Sequence, residues 1–204
     1  MINHPNFKTY IYRKLKNMKS DAGISGTALA CLNNLIGINI EKLMIGVNQI
    51  ILHIDKKTIT DKEVLGSINL FLSGDLLEQV KKYTKDALEN FEKSKDGEKK
   101  NTSTSKSASA GLIFPVTRIQ NYMIKVSVTT RKSEKAAVAM AAVCELLISN
   151  LLEKTFLIAE KHKKSRITTR HIMIAINDDF ELKHFYKNCV FAGGVVQYNP
   201  NFKK

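Results

Sequence analysis

Apolar residues recur at steps of three and four in two long stretches of the chain. Leu29, Leu32, Ile36, Ile40, Leu43, Val47, Ile50, Ile51 and Ile54 form the first set. Val138, Ala142, Leu146, Leu147, Leu151, Leu152, Phe156 and Ala159 form the second. This spacing places each set on one helical face. A helix of about 27 residues spans about 40 Å. A shorter helical pattern precedes each long one, over Phe7 to Met18 and Val116 to Val126, and another follows, over Thr60 to Leu72 and Thr168 to Asn177. The connecting loops repeat as well. Lys56-Lys57-Thr58-Ile59-Thr60 and Lys163-Lys164-Ser165-Arg166-Ile167-Thr168 both read as two lysines, a hydroxyl residue, then Ile-Thr. The β-branched Ile suits a short strand and the Thr a helix N-cap. Two short helices cannot cover a helix this long. Each half therefore exposes an apolar stripe, and the other half is its partner.

Between the halves the pattern stops. Glu92 to Ala110 reads EKSKDGEKKNTSTSKSASA, with almost no large apolar side chain. It cannot bury enough surface to offset its ordering entropy and reads as a flexible linker. The division is 1–94, a linker over 95–110, and 111–204. The net charge of +13 divides as +3, +2 and +8 over these segments. Nucleic acid is the first partner such a charge suggests, an anionic membrane surface the second. The longest apolar run, near Ala136 to Cys144, is short of the roughly 18 residues of a membrane span, so no membrane partner is expected. Cys31, Cys144 and Cys189 are odd in number and lack metal-ligand spacing, so reduced thiols and no metal are expected.

Three motifs in the second half resemble core histone 2A. They are Gly111 to Arg118 (GLIFPVTR), Lys163 to Ile176 (KKSRITTRHIMIAI) and Ala192-Gly193-Gly194-Val195. The first half resembles core histone 2B through Tyr10-Ile11-Tyr12, Asp21 to Ser25 (DAGIS), Thr58-Ile59-Thr60 and Leu72 to Leu76 (LSGDL). The order, histone 2B then histone 2A, resembles the fused histone doublets of giant DNA viruses that infect amoebae, such as Marseillevirus. An unusual eukaryotic or an engineered fusion is the alternative source. The resemblance implies an all-α protein of two tandem histone folds, paired as a handshake heterodimer within one polypeptide. It implies a structural role, wrapping double-stranded DNA without sequence specificity. The implied partners are a histone 4/histone 3-like doublet and a second copy of this chain in an octamer-like particle. The location would be chromatin: a nucleus, or a virion, viral factory or host nucleus if the source is a virus.

In a head-to-tail pair, loops of opposite halves meet: Ser20 to Ile24 beside Lys163 to Ile167, and Val128 to Lys132 beside Lys56 to Ile59. Lys56, Lys57, Lys163, Lys164 and Arg118 would face phosphates, with Arg131 and Arg166 lining or entering a minor groove. Tyr12, Ser25 and Thr58 would donate hydroxyl hydrogen bonds. Matching positions for an acidic surface patch are Asp75, Glu145, Glu153, Asp179 and Glu181, although Asn150, Phe180 and Tyr83 stand where the family has carboxylates. Phe185, Phe191, Val195 and Val196 would dock on the histone 4/histone 3 partner. With only 5 Arg among 32 basic residues, phosphate binding relies on point charges rather than bidentate forks. No catalytic constellation appears around the five histidines, and His171 reads as a structural hydrogen-bonding residue. Neither an enzyme nor a cofactor is expected. A histone-fold transcription regulator is the rival reading, but it would need an extra base-reading element.

Overall fold

The computed structural model describes residues 4–96, 105–129 and 131–187. Within them the chain forms two helical units. The first runs α1 (Lys8–Met18), β1 (Gly23–Ile24), α2 (Gly26–His53), β2 (Thr58–Ile59), α3 (Asp61–Phe71) and α4 (Gly74–Asp96). The second runs α5 (Lys106–Ser109), α6 (Val116–Val126), β3 (Arg131–Lys132), α7 (Glu134–Lys161), β4 (Arg166–Ile167), α8 (Thr169–Asp178) and α9 (Phe180–Phe185). Equivalent positions lie 108 residues apart: α1 and α6 start at 8 and 116, α2 and α7 at 26 and 134.

The same local chemistry sets both copies. Ser25 and Ser133 cap the long helices, each accepting from the amide three residues on, at 3.1 and 3.0 Å. Each long helix ends on a residue in the left-handed region, Asp55 at φ 48° and Lys163 at φ 54°. The next amide then reaches back five residues, from Lys56 to Ile51 and from Lys164 to Ala159, in Schellman fashion. Thr60 and Thr168 open the following helices with capping boxes, closed by Glu63 and His171.

The units interleave. Helix α7 packs against α1, α3 and α4 of the first unit, and α2 packs against α6, α7 and α8. The expected single stripe on α7 does not describe it. Ala136 through Glu145 are all buried, so this stretch is covered on every side. On α2 Leu32, Ile36, Ile40, Leu43, Val47 and Ile51 of the expected face are buried, Leu29 and Ile50 are half-buried, and Ile54 is 50% exposed. Both long helices are apolar enough by length and composition to cross a membrane, which the count of consecutive apolar residues did not indicate. Their most apolar stretches are 56% and 83% buried within the fold.

The expected linker is shorter than its composition indicated. Helix α4 continues to Asp96, because Phe91 is buried and the Lys95 ammonium lies 2.5 Å from Glu134. On the far side, Ser105 caps α5, and Lys106 binds the other oxygen of Glu134 at 2.7 Å. The two lysines hold the Glu134 carboxyl low, at about 2. Residues 97–104 lie outside the described residues.

Candidate nucleic-acid interface

Two short parallel strand pairs join the units at opposite ends. At one, Gly23 pairs with Arg166 and Ile24 with Ile167, and the Gly23 amide donates to the Ser165 carbonyl at 2.9 Å. At the other, Thr58 pairs with Arg131 and Ile59 with Lys132, and the Ser133 amide donates to the Ile59 carbonyl at 2.8 Å. Each pairing brings together the loops expected to meet. The pairing fixes the backbone, so side chains from both units project side by side next to helix N-termini, which favour anions.

At the first end, Lys163, Lys164 and Arg166 are all exposed. At the second, Lys57 and Arg131 are exposed, and Thr129 Oγ1 donates to the Lys57 carbonyl at 2.7 Å. Thr58 is half-buried. Lys56 does not face solvent freely. Its ammonium bonds Glu63 at 2.7 Å and Thr60 at 3.3 Å, which ties it to the capping box of α3. Ser25 is likewise engaged as the cap of α2 and lies 3.1 Å from the Thr27 hydroxyl.

Between the two ends, α1 and α6 bring further groups to the surface. Tyr12 is 45% exposed beneath the Lys16 ammonium. Arg118 is exposed, donates to the Asn6 carbonyl, and lies 5.4 Å from the centre of the Tyr10 ring. Arg13 lies 6.0 Å from the same ring, so guanidinium groups from both units share one aromatic support. Arg13 and Lys132 were not singled out in the sequence. Arg13 sits one residue beyond the Tyr-Ile-Tyr motif, and only the approach of Arg118 to the Tyr10 ring gives it its company. Lys132 is half-buried beside Arg131, and burial lowers its pKa.

The expected acidic patch is largely dismantled. Glu145 is 1% exposed and accepts from Lys14, Tyr83 and the amides of Ile113 and Phe114. Asp179 caps α9, accepting from the Leu182 amide at 2.7 Å, and pairs with Lys154; these partners hold its carboxyl low against the burial that would raise it. Glu181 accepts from the Leu76 amide at 3.1 Å, across the N-terminus of α4. Asp75 and Glu153 alone of the five are exposed. An exposed aromatic, Phe180 at 80%, stands among them. Phe185 is also not a free docking residue. It is 1% exposed, and Lys42 donates to its carbonyl with the ammonium over its ring. Phe191, Val195 and Val196, with the Ala192–Val195 motif and Cys189, lie outside the described residues.

His171 has the expected structural role. Its Nδ1 accepts from the Thr168 amide at 3.3 Å, and its ring lies 5.5 Å from that of His162. Burial first, then the charges of His162 and Arg170, lower its pKa. The proton-free ring is the form that accepts the bond. With the folded pKa depressed, its contribution to stability is full above the unfolded value of about 6.5 and is lost as the pH falls through the folded value. The urea midpoint should therefore fall between about pH 7.5 and pH 5. The fall should be smaller in His171→Asn, whose amide oxygen accepts at any pH; equal falls would show that other groups set the acid response. Among the described residues, no three His, Cys, Asp or Glu side chains converge as a metal site would require. Cys144 lies in the core, where burial pushes its thiol far up.

A family profile for the core histone domain, spanning histones 2A, 2B, 3 and 4, matches residues 92–177. Similar proteins include a histone 2A of Plasmodium falciparum, 45% identical over 108 residues, covering 52% of this chain and 82% of that protein. Another is the histone 2A.Z of Lodderomyces elongisporus, 40% identical over 107 residues, covering 52% and 80%. A third is a probable histone 2A, number 5, of Arabidopsis thaliana, 41% identical over 107 residues, covering 52% and 71%.

Proposed function

The chain belongs to the core histone family, and from that premise we propose that it packages DNA as a histone 2B–histone 2A doublet, its two units pairing as the handshake dimer of a nucleosome-like particle. The observation that carries this reading is the placing of cations at three points: Lys163, Lys164 and Arg166 of the second unit at the β1·β4 end, and cations of both units at the α1/α6 middle and the β2·β3 end. Lys163, Lys164, Arg166, Lys57, Arg131, Arg118 and Tyr12 are the expected phosphate contacts, with Arg13 and Lys132 added. Lys56, Ser25 and Thr58 act more by shaping the loops. This arrangement suits contacts to the phosphate backbone of a duplex rather than readout of base edges.

The partner is a histone 4/histone 3-like pair, and two copies of each complete the particle. Leu52 at 68%, Ile54 at 50% and Leu70 at 60% exposure support an apolar docking surface on the first unit. The protein then resides on chromatin: in a nucleus, or in the virion, viral factory or host nucleus if the fusion is viral. The reduced acidic patch would weaken factors that anchor an arginine there.

The test is reconstitution. Mixed with a histone 4/histone 3 pair and DNA, the chain should give a discrete nuclease-resistant particle, with the same protected length on random and on defined sequences. A protected length confined to one sequence would support a transcription regulator instead.

A further inference from the structure

Because equivalent positions lie 108 residues apart, Lys14 corresponds to Tyr122 and Gly37 to Glu145. The two crossings between units therefore compare directly, and they are not alike. At one, the buried Glu145 carboxylate is surrounded by donors. Lys14 Nζ lies at 3.0 Å and the Tyr83 hydroxyl at 2.9 Å, both from the first unit. The amides of Ile113 and Phe114 lie at 2.8 and 2.9 Å, both from the second. At the other crossing the carboxylate position is Gly37 and the ammonium position is Tyr122. The space over Gly37 is filled by the His4 ring, which a Cβ there would overlap. Tyr122 lies 3.0 Å from His4 Nδ1 and donates to Glu41.

We propose that Glu145 is the residue that makes pairing between the units heterotypic. Its charge is nearly sealed from water, and only a first unit brings a cation to it. Two second units facing each other would bury two carboxylates, each opposite Tyr122 and without a cation. Two first units would set Lys14 where Tyr122 now stands, within reach of Glu41, so the penalty falls on pairs of second units. A buried charge deprived of its partner is strongly unfavourable, while the matched pair is tolerated. The discrimination therefore lies in the cost placed on wrong pairs. Because the chain supplies the units in equal numbers, excluding pairs of second units leaves each first unit with a second when two chains exchange units. The inference rests on the packing alone and stands whether or not the protein packages DNA.

The test begins with the full chain carrying a protease site between residues 97 and 104, cleaved after folding, unfolded in urea and refolded. Native mass spectrometry then reads the composition of the pairs. Unmodified units should return as mixed pairs. With Glu145→Gln, which keeps an acceptor for Ile113 and Phe114 but removes the charge, pairs of two second units should rise about tenfold or more, the equivalent of about 1.4 kcal/mol. An unchanged composition would overturn the proposal. If the cleaved units fail to refold, urea midpoints of the intact chain decide. Lys14→Met alone should be less stable than Lys14→Met with Glu145→Gln, because the double change removes the orphaned charge. Simple addition of the two losses would overturn it equally.

Discussion

Replacing Lys163, Lys164 and Arg166 by Ala should flatten the dependence of log K on log salt by roughly 2 to 3 units, at about 0.9 for each phosphate no longer neutralised. If about 6 phosphates are neutralised by one chain, the unmodified slope is near −5. Affinity at about 0.2 M salt should then drop roughly 10²-fold, by the same relation taken from a 1 M reference. The warrant is geometric. All three side chains are exposed beside the β1·β4 pair, and they have no carboxylate partner among the salt bridges of the described residues. Lys56→Ala is the internal contrast. Its ammonium is held by Glu63, so the slope should change little while stability falls. Fluorescence anisotropy of a labelled duplex across a salt series measures both slopes. A triple variant with an unchanged slope would remove this end from the DNA path.

Phe114→Ala should lower the urea midpoint by about 1 to 2 M. Truncating a buried Phe costs about 3–5 kcal/mol, and a urea slope of about 2–3 kcal/mol per M converts one to the other. That is a large share of the roughly 5–15 kcal/mol that holds a domain together. Phe114 is fully buried and stacks on Phe7 at 6.2 Å, so this packing joins the start of the second unit to the start of the first. Its amide also donates to Glu145, so a shift of the backbone would disturb that carboxylate as well. Ile124→Ala, at a position 40% exposed, should cost far less. Equal losses would mean that the interface between the units contributes little to stability.

The sequence by itself determined the short, long and short helices of each unit and their order, but not α4, α5 or α9. Serine caps, Thr-x-x-Glu and Thr-x-x-His boxes and helical apolar spacing are local signals, and each operates within a few residues. The same holds for the meeting of the paired loops, which follows from a repeat read head to tail. Tertiary structure decided which polar groups remain available. Glu145, Asp179 and Glu181 stand at positions where the resemblance implies a surface patch, yet each is consumed by amides or an ammonium: Glu145 by Lys14 from 131 residues away, Glu181 by Leu76 from 105, and Asp179 by Lys154 and the nearby Leu182 amide. Lys56 is consumed in the same way by Glu63. The extent of the linker was decided there too. Lys95 and Lys106 look like solvated charges in a polar run until Glu134 brings them together. In each case the deciding term is the desolvation and pairing of a charge by a partner distant in sequence, and no local pattern of residue types encodes that.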